Sequence, residues 1–182
     1  MVSLLSLWMP VLIAAALCWI AGAILWTALP LHKSDYARVD NEEAARDALR
    51  SLSAGQYNIP HIADPSKLSD DDKQKFADGP VAFITVLDKG MPNMGKNLVI
   101  QFIFYTVVSA LVGYVAAASL PAGAAYLAVF QVVGMTAWLA YGAAALQDCI
   151  WFGRPWSTAF KSVFDALVYA LLTAGVFGWL WP

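Results

Sequence analysis

Four long apolar segments and one long polar segment divide this chain. The apolar segments run over residues 4–29, 98–120, 122–146 and 163–181. Each is close to the roughly 20 apolar residues that an α-helix needs to cross a hydrocarbon core. The first segment is longer than the apolar core of a signal peptide and has no basic start, so we expect it to be retained. The pattern predicts an all-α transmembrane four-helix bundle with a small α+β cytoplasmic insert between helices 1 and 2.

The polar segment, residues 30–97, is the predicted insert. Its composition and acidic first turns predict two short helices, over 42–52 and 70–77. The run 81–87 is rich in β-branched and aromatic residues and predicts a strand, for which 56–59 is the expected partner. Two strands alone are marginally stable in water. We therefore expect the insert to lean on the membrane helices or on a partner.

Composition supports a membrane protein. Hydrophobic residues make up 60% of the chain and charged residues 13%, whereas the apolar share of an ordinary soluble domain is about 45–50%. The lipid bilayer is therefore the first predicted partner. The formal net charge is −2, and nucleic-acid binding requires a basic surface. We therefore expect no nucleic acid among the partners.

The distribution of basic residues predicts the orientation of the chain. All 11 Lys and Arg residues lie in the insert or in the predicted interfacial loop 147–162. Basic residues near helix ends favour the cytoplasmic side. We therefore expect the insert and this loop to be cytoplasmic and both termini to lie outside.

Polar side chains recur every four residues along two of the apolar segments. They are Gln101, Tyr105 and Ser109 in the second segment and Asp165, Tyr169 and Thr173 in the fourth, and Gln131 of the third segment reaches a similar depth. Residues four apart share one face of a helix. Two interpretations are open: hydrogen-bonded packing between helices, with Asp165 paired to Lys161 one turn away, or a polar path for protons or ions.

Small residues form a second stripe on the fourth segment. Ala166, Ala170, Ala174 and Gly178 recur every four residues. Such a small-xxx-small pattern lets the backbones of two helices approach closely. We expect this stripe to contact another helix, in this chain or in a partner.

Both histidines of the chain occur in a His-x-x-Asp pattern. The pairs are His32 with Asp35 and His61 with Asp64. Imidazole and carboxylate groups are ligands for zinc and iron. Neither pair lies on a predicted helix that would set its geometry, so local structural roles are the main interpretation and the four residues are only weak metal candidates. No cofactor is predicted.

The loop before the fourth apolar segment combines aromatic and basic residues. Trp151, Arg154, Trp156 and Lys161 could bind an anionic lipid headgroup, since arginine and lysine supply charge and tryptophan anchors at the interface. A generic interfacial loop is the alternative.

Three stretches resemble known sequences. They are Leu29-Pro30-Leu31-His32-Lys33-Ser34-Asp35, Gly79-Pro80 leading into Asn93-Met94-Gly95-Lys96, and residues 161–182. With them the chain resembles a group of small bacterial four-helix integral membrane proteins of unassigned function. The resemblance implies a multi-pass protein of the bacterial inner membrane and implies no active site; with the orientation given above, both termini are then expected in the periplasm.

The sequence contains no recognised catalytic motif. We therefore predict a non-enzymatic accessory subunit of a larger membrane complex or a self-associating scaffold, whose partners are other membrane-protein subunits or itself. The alternative is a small homo-oligomeric transporter or channel with a polar path along helices 2 and 4.

Overall fold

The computed structural model describes residues 2–182, which form two units. The first unit comprises the residues up to Tyr36 together with Asn93–Pro182, and the second is Ala37–Pro92.

The first unit contains four helices that are long and apolar enough to cross a membrane among the residues described. They are Leu4–Ala28, α4 at Met94–Ser119, α5 at Tyr126–Phe152 and α6 at Trp156–Trp179. Within Leu4–Ala28 the regular α-helix is α1, Trp8–Ala23, which is followed by a π-helical turn at Ile24–Ala28. The prediction of four membrane-length apolar helices is confirmed.

Several helix ends differ from the predicted bounds. Helix α5 continues to Phe152 and α6 begins at Trp156, so the predicted loop 147–162 shrinks to residues 153–155. Gly153 ends α5 because its φ of 65° is left-handed and favours glycine. Pro155 directly precedes α6, and proline is favoured near the start of a helix. The polar residues of this stretch therefore extend two helices instead of forming a long loop.

Helix α4 also starts earlier than the apolar run at residue 98. The side chain of Asn93 accepts a hydrogen bond from the Lys96 N–H at 3.0 Å. This cap satisfies a backbone donor that the first turn would otherwise leave unpaired. The helix therefore begins at Met94 and includes a polar first turn.

The small-residue stripe of α6 is covered by α5 of the same chain. Ala166, Ala170 and Ala174 are each at most 2% exposed. A methyl carbon placed on Gly142 would come within 3.0 Å of Ala166 Cβ, and one placed on Gly134 within 3.3 Å of Ala174 Cβ. The two backbones approach this closely because neither side carries a large side chain. The stripe is thus an internal packing surface and is not free for a partner helix.

An apolar core fills one end of the first unit. Its largest fully buried side chains include Leu7, Val112, Val129, Val133 and Phe177. Phe177 packs against Gly113, where an added methyl carbon would meet the ring at 3.0 Å. Side chains from all four long helices therefore meet in this core.

The second unit contains two short helices and a two-stranded sheet. The helices are α2 at Glu42–Leu49 and α3 at Asp70–Asp78, and the strands are β1 at Gly55–Ile59 and β2 at Ala82–Val86. The strands are antiparallel, with Tyr57 opposite Ile84. The predicted two-stranded sheet is confirmed, whereas α2 ends three residues before the predicted bound of 52.

Candidate functional site

The first membrane-length helix ends in a turn that carries a histidine into the interior. After the π-helical turn, Leu29 is extended, and Pro30–His32 forms a single 3₁₀ turn. Proline favours the first position of such a turn because its missing N–H would be unpaired there anyway. His32 is only 7% exposed. The Trp26 ring stacks on it, with centroids 3.9 Å apart and planes at 2°.

Both ring nitrogens of His32 face carboxyl groups. Nδ1 lies 2.6 Å from Asp35 Oδ2, and Nε2 lies 2.9 Å from Asp165 Oδ2. The side chains are nearly inaccessible, at 4% exposure for His32, 2% for Asp35 and 6% for Asp165. An ionised carboxylate only accepts hydrogen bonds. An imidazolium donates from both nitrogens and would therefore satisfy two ionised carboxylates, whereas a neutral ring donates from only one nitrogen.

Lys161 completes a four-residue network with His32, Asp35 and Asp165. Its Nζ donates to Asp35 Oδ1 at 2.5 Å and to Ser34 Oγ at 2.8 Å. With an imidazolium, the two cations balance the two carboxylates. The predicted pairing of Lys161 with Asp165 is wrong. The turn at Pro30 brings His32 into contact with Asp165, and Lys161 pairs with Asp35 instead.

The charges around Asp35 make the network sensitive to acid. The hydrogen bond from Lys161, and next the one from His32, hold the pKa of Asp35 below its ordinary value of 3.8. A carboxyl group whose pKa is lower in the folded than in the unfolded protein stabilises the fold at pH values above its ordinary pKa. This stabilisation is lost as the pH falls through the pKa of the folded state.

We therefore expect the free energy of unfolding to fall with acidification below about pH 4 more steeply in the wild type than in Asp35→Asn. The measurement is the free energy of unfolding as a function of pH for both proteins. Asp88→Asn is the control, since Asp88 is exposed and lies in the second unit. Equal acid slopes for Asp35→Asn and wild type would contradict the expectation.

A column of polar side chains continues from Asp165 into the unit. Asp165, Tyr169 and Thr173 lie on one face of α6 and are all buried. The Tyr169 ring packs edge-on against Tyr105 of α4 and Tyr141 of α5, with centroids 5.3 and 5.6 Å away. The predicted neighbours Tyr105 and Tyr169 are thus brought together.

Three buried polar atoms around this column have no hydrogen-bond partner among the described residues. They are Asp165 Oδ1, Tyr141 OH and Ser109 Oγ. Buried polar atoms in folded proteins are nearly always hydrogen-bonded, to protein or to ordered water. The column therefore has unused capacity to bind water or another small hydrogen-bonding species.

The polar column ends inside the protein. One turn beyond Thr173 on α6 lies Phe177, which is 0% exposed, and one turn beyond Ser109 lies Gly113, against which the Phe177 ring packs. Val112 and Leu7, each 1% exposed, belong to the same apolar cluster. The column is therefore closed at this end within the single chain.

Sequence reasoning missed three side chains of this site and misplaced two others. Trp26 and Tyr141 sit in apolar segments where aromatic residues are ordinary, and Cys18, a free thiol, lies 3.5 Å from Thr173 Oγ1. Gln101 and Gln131, two members of the predicted polar stripe, are exposed on the helix surface, although the Gln101 side chain still hydrogen-bonds that of Tyr105. Only the rotation of each helix about its axis decides which side chains face inward.

The two His-x-x-Asp pairs have different surroundings. His61 Nδ1 lies 3.0 Å from Asn58 Oδ1, while Asp64 accepts hydrogen bonds from the backbone and hydroxyl of Ser66. Hydrogen bonds from Ser66 also lower the pKa of Asp64. Within residues 2–182, no group of three or more His, Cys, Asp or Glu side chains is arranged to hold a metal ion. The weak metal candidates therefore form no cluster of metal ligands.

The predicted headgroup residues lie on helix ends. Trp151 is 71% exposed at the end of α5, and Trp156 is 52% exposed at the start of α6. Arg154 Nη1 donates to Asp148 Oδ2 at 3.2 Å, so a carboxylate already accompanies its charge. Lys161 is bound to Asp35. The tryptophans keep the exposure that an interfacial anchor needs, whereas both basic groups already have partners.

Comparisons with protein-family models, curated proteins and solved structures find no match for this chain. The function is therefore inferred from the geometry of the molecule alone.

Proposed function

We propose that the protein is a non-enzymatic multi-pass protein of the bacterial inner membrane, with its four long helices in a four-helix bundle. It acts as an accessory subunit of a larger membrane complex or as a self-associating scaffold, bound to other membrane-protein subunits or to itself. The observation that carries this proposal is the poor burial of the second unit.

The second unit lacks a core of its own. No side chain within residues 37–92, all of which the structure describes, is buried. Several large apolar side chains are exposed there instead: Ile59, Leu68, Phe76, Val81 and Leu87. An isolated two-stranded hairpin is marginal in water and needs packing against another element to be stable. These features support a docking role for this unit, because a partner would supply the missing burial.

Native mass measurement in a mild detergent tests the proposal. We expect a species larger than the 19.7 kDa chain, and we expect the double variant Val81→Ser/Leu87→Ser to shift it toward the monomer. Asp88→Ser is the matched control, because it changes an exposed polar residue of the same segment. A monomeric wild-type protein without co-purifying subunits would reject the proposal.

The proposed orientation places the insert in the cytoplasm and both termini in the periplasm. It rests on the positive-inside bias, since all 11 Lys and Arg residues lie in or beside the segments assigned to the cytoplasmic side. Single cysteines introduced as Ala122→Cys and Ser53→Cys, in a Cys18→Ala/Cys149→Ala background, test it. We expect an impermeant maleimide to label intact cells at position 122 and to label position 53 only after lysis, and the reverse pattern would overturn it.

A second candidate is a small homo-oligomeric transporter or channel. Its path would run along the second and fourth membrane-length helices, α4 and α6. The observation that favours it is the buried polar column of Asp165, Tyr169 and Tyr105. Phe177 closes the column at its inner end. A complete path across the membrane would therefore need the Phe177 ring to move, or would need a second copy of the chain to supply the rest of the path. Ion flux into proteoliposomes, compared between wild type and Asp165→Asn, is the test, and absence of flux in the wild type would reject this candidate.

A further inference from the structure

An imidazole held between two carboxyl groups is an arrangement suited to proton transfer. We propose that His32 shuttles protons between Asp35, at the end of the first membrane-length helix, and Asp165, inside the protein on α6. The ligand of the site is the solvent proton, and Asp165 is the residue that binds it. This inference rests on neither candidate function, because it requires no partner and no transmembrane flux.

The transfer can be written as one balanced proton movement. A proton from solvent first protonates Asp35, whose O–H then faces Nδ1 of a neutral ring that carries its own proton on Nε2. The Asp35 O–H bond breaks as the Nδ1–H bond forms, and the Nε2–H bond breaks as the Asp165 O–H bond forms. The intermediate is the imidazolium between two carboxylates, which matches the observed distances of 2.6 and 2.9 Å. The reverse movement returns the proton to solvent.

The Asp35 carboxyl group at the outer end of the shuttle is itself only 2% exposed, but it lies beside groups that water reaches. The side chain of Lys161 is 18% exposed, and its ammonium group binds both Asp35 and the exposed Ser34. Since Lys161 and His32 lower the pKa of Asp35, Asp35 passes a proton on instead of retaining it. The Trp26 ring covers one face of His32 and keeps the imidazole in place.

The inner end of the shuttle is closed and polar. Asp165 Oδ1 is buried and makes no hydrogen bond within 3.5 Å to the described residues, although the Trp26 side chain is a further donor near this carboxyl group; Oδ1 can therefore accept a hydrogen bond when Oδ2 carries the proton. The titratable groups around the network are few and come from each neighbouring element: Cys18 of α1, His32 and Asp35 after it, Tyr105 of α4, Tyr141 of α5, and Lys161, Asp165 and Tyr169 of α6. Because Phe177 closes the column, the proton is taken up and released at the same end.

Infrared difference spectroscopy on the full chain in lipid nanodiscs measures the proposed proton uptake. With isotope-labelled aspartate, a rapid pH drop is expected to produce a carboxylic-acid band that is absent in Asp165→Asn and retained in the control Asp148→Asn. Asp165→Glu is the second variant, in which the band is expected to shift instead of disappearing. A wild-type spectrum whose aspartate bands equal those of Asp165→Asn would overturn the proposal.

Chemical rescue separates a shuttle from a structural role of His32. In His32→Ala, whose folding is checked by circular dichroism, we expect the band to appear about 100-fold more slowly, at the lower end of the range for general acid–base transfer. Added imidazole should restore the rate, whereas 1-methylimidazole, which fills the same space but has only one nitrogen able to exchange a proton, should not. His61→Gln is the control and should keep the wild-type rate.

Two outcomes of the rescue experiment would overturn the shuttle. One is proton uptake in His32→Ala at the wild-type rate, and the other is equal rescue by imidazole and 1-methylimidazole. Loss of the proposed subunit or scaffold function would leave all of these results unchanged.

Discussion

Asp165→Ala is expected to lower the free energy of unfolding by about 3–5 kcal/mol, the range for removing one partner of a buried ion pair. The reason is the charge that would remain. His32 lies between Asp35 and Asp165 with 4% exposure of its side chain, and without Asp165 its Nε2 loses the carboxylate that it contacts at 2.9 Å. The free energy of unfolding in bicelles, measured by steric trapping, is the quantity to compare.

Asp148→Ala is the matched control for this prediction. Asp148 also pairs with a cation at the same end of the helices, but its side chain is 44% exposed. Exposed ion pairs contribute about 0–1 kcal/mol. Similar losses in the two variants would contradict the buried network. The double variant His32→Leu/Asp165→Leu should be less destabilised than the sum of its single changes, because no unpaired charge remains.

Gly142→Ala is expected to cost about 1–3 kcal/mol, the range for overpacking a close-packed site. The new methyl carbon would lie 3.0 Å from Ala166 Cβ and 3.8 Å from the backbone Cα of Val163. Alanine normally favours a helix over glycine, by about 1 kcal/mol. A net loss of stability would therefore show that α5 and α6 are too close at this point to admit a methyl group. The measurement is the free energy of unfolding in bicelles.

The control for Gly142→Ala uses the neighbouring surface. Ala143 is exposed, so Ala143→Leu adds more volume but meets no helix and should change the free energy of unfolding by less than about 0.5 kcal/mol. The exchange Gly142→Ala/Ala166→Gly moves the methyl group from one helix to the other and should recover part of the loss. Stabilisation by Gly142→Ala alone would show that the two helices can separate at no cost.

Local patterns in the sequence predict most of the secondary structure. The four apolar segments, the two short insert helices and the strand pair all follow from composition and from side-chain periodicity. The ends of α5 and α6 at residues 153–155 were less predictable, since both helices continue through polar residues that the apolar runs exclude. The residue at which a helix ends is set by local contacts of one or two residues, and not by the average hydropathy of the segment.

The candidate site was predicted in fragments. The pairing of His32 with Asp35 follows from a spacing of three residues, and the four-residue spacing of Asp165 and Tyr169 places both on one helix face. The step that joins these fragments is a contact between residues 133 positions apart, His32 and Asp165. Residue spacing carries no information about such a contact, and the nearest basic residue in sequence, Lys161, suggested a different partner.

The sequence by itself determined that this chain has four helices that are long and apolar enough to cross a membrane. It also determined where the charges are. Only the tertiary structure decided that Asp165 is buried against an imidazole, that the small-residue stripe is used within the chain, and that the polar column is closed by Phe177. Each of these depends on the rotation and mutual approach of helices, which packing sets and local sequence patterns do not.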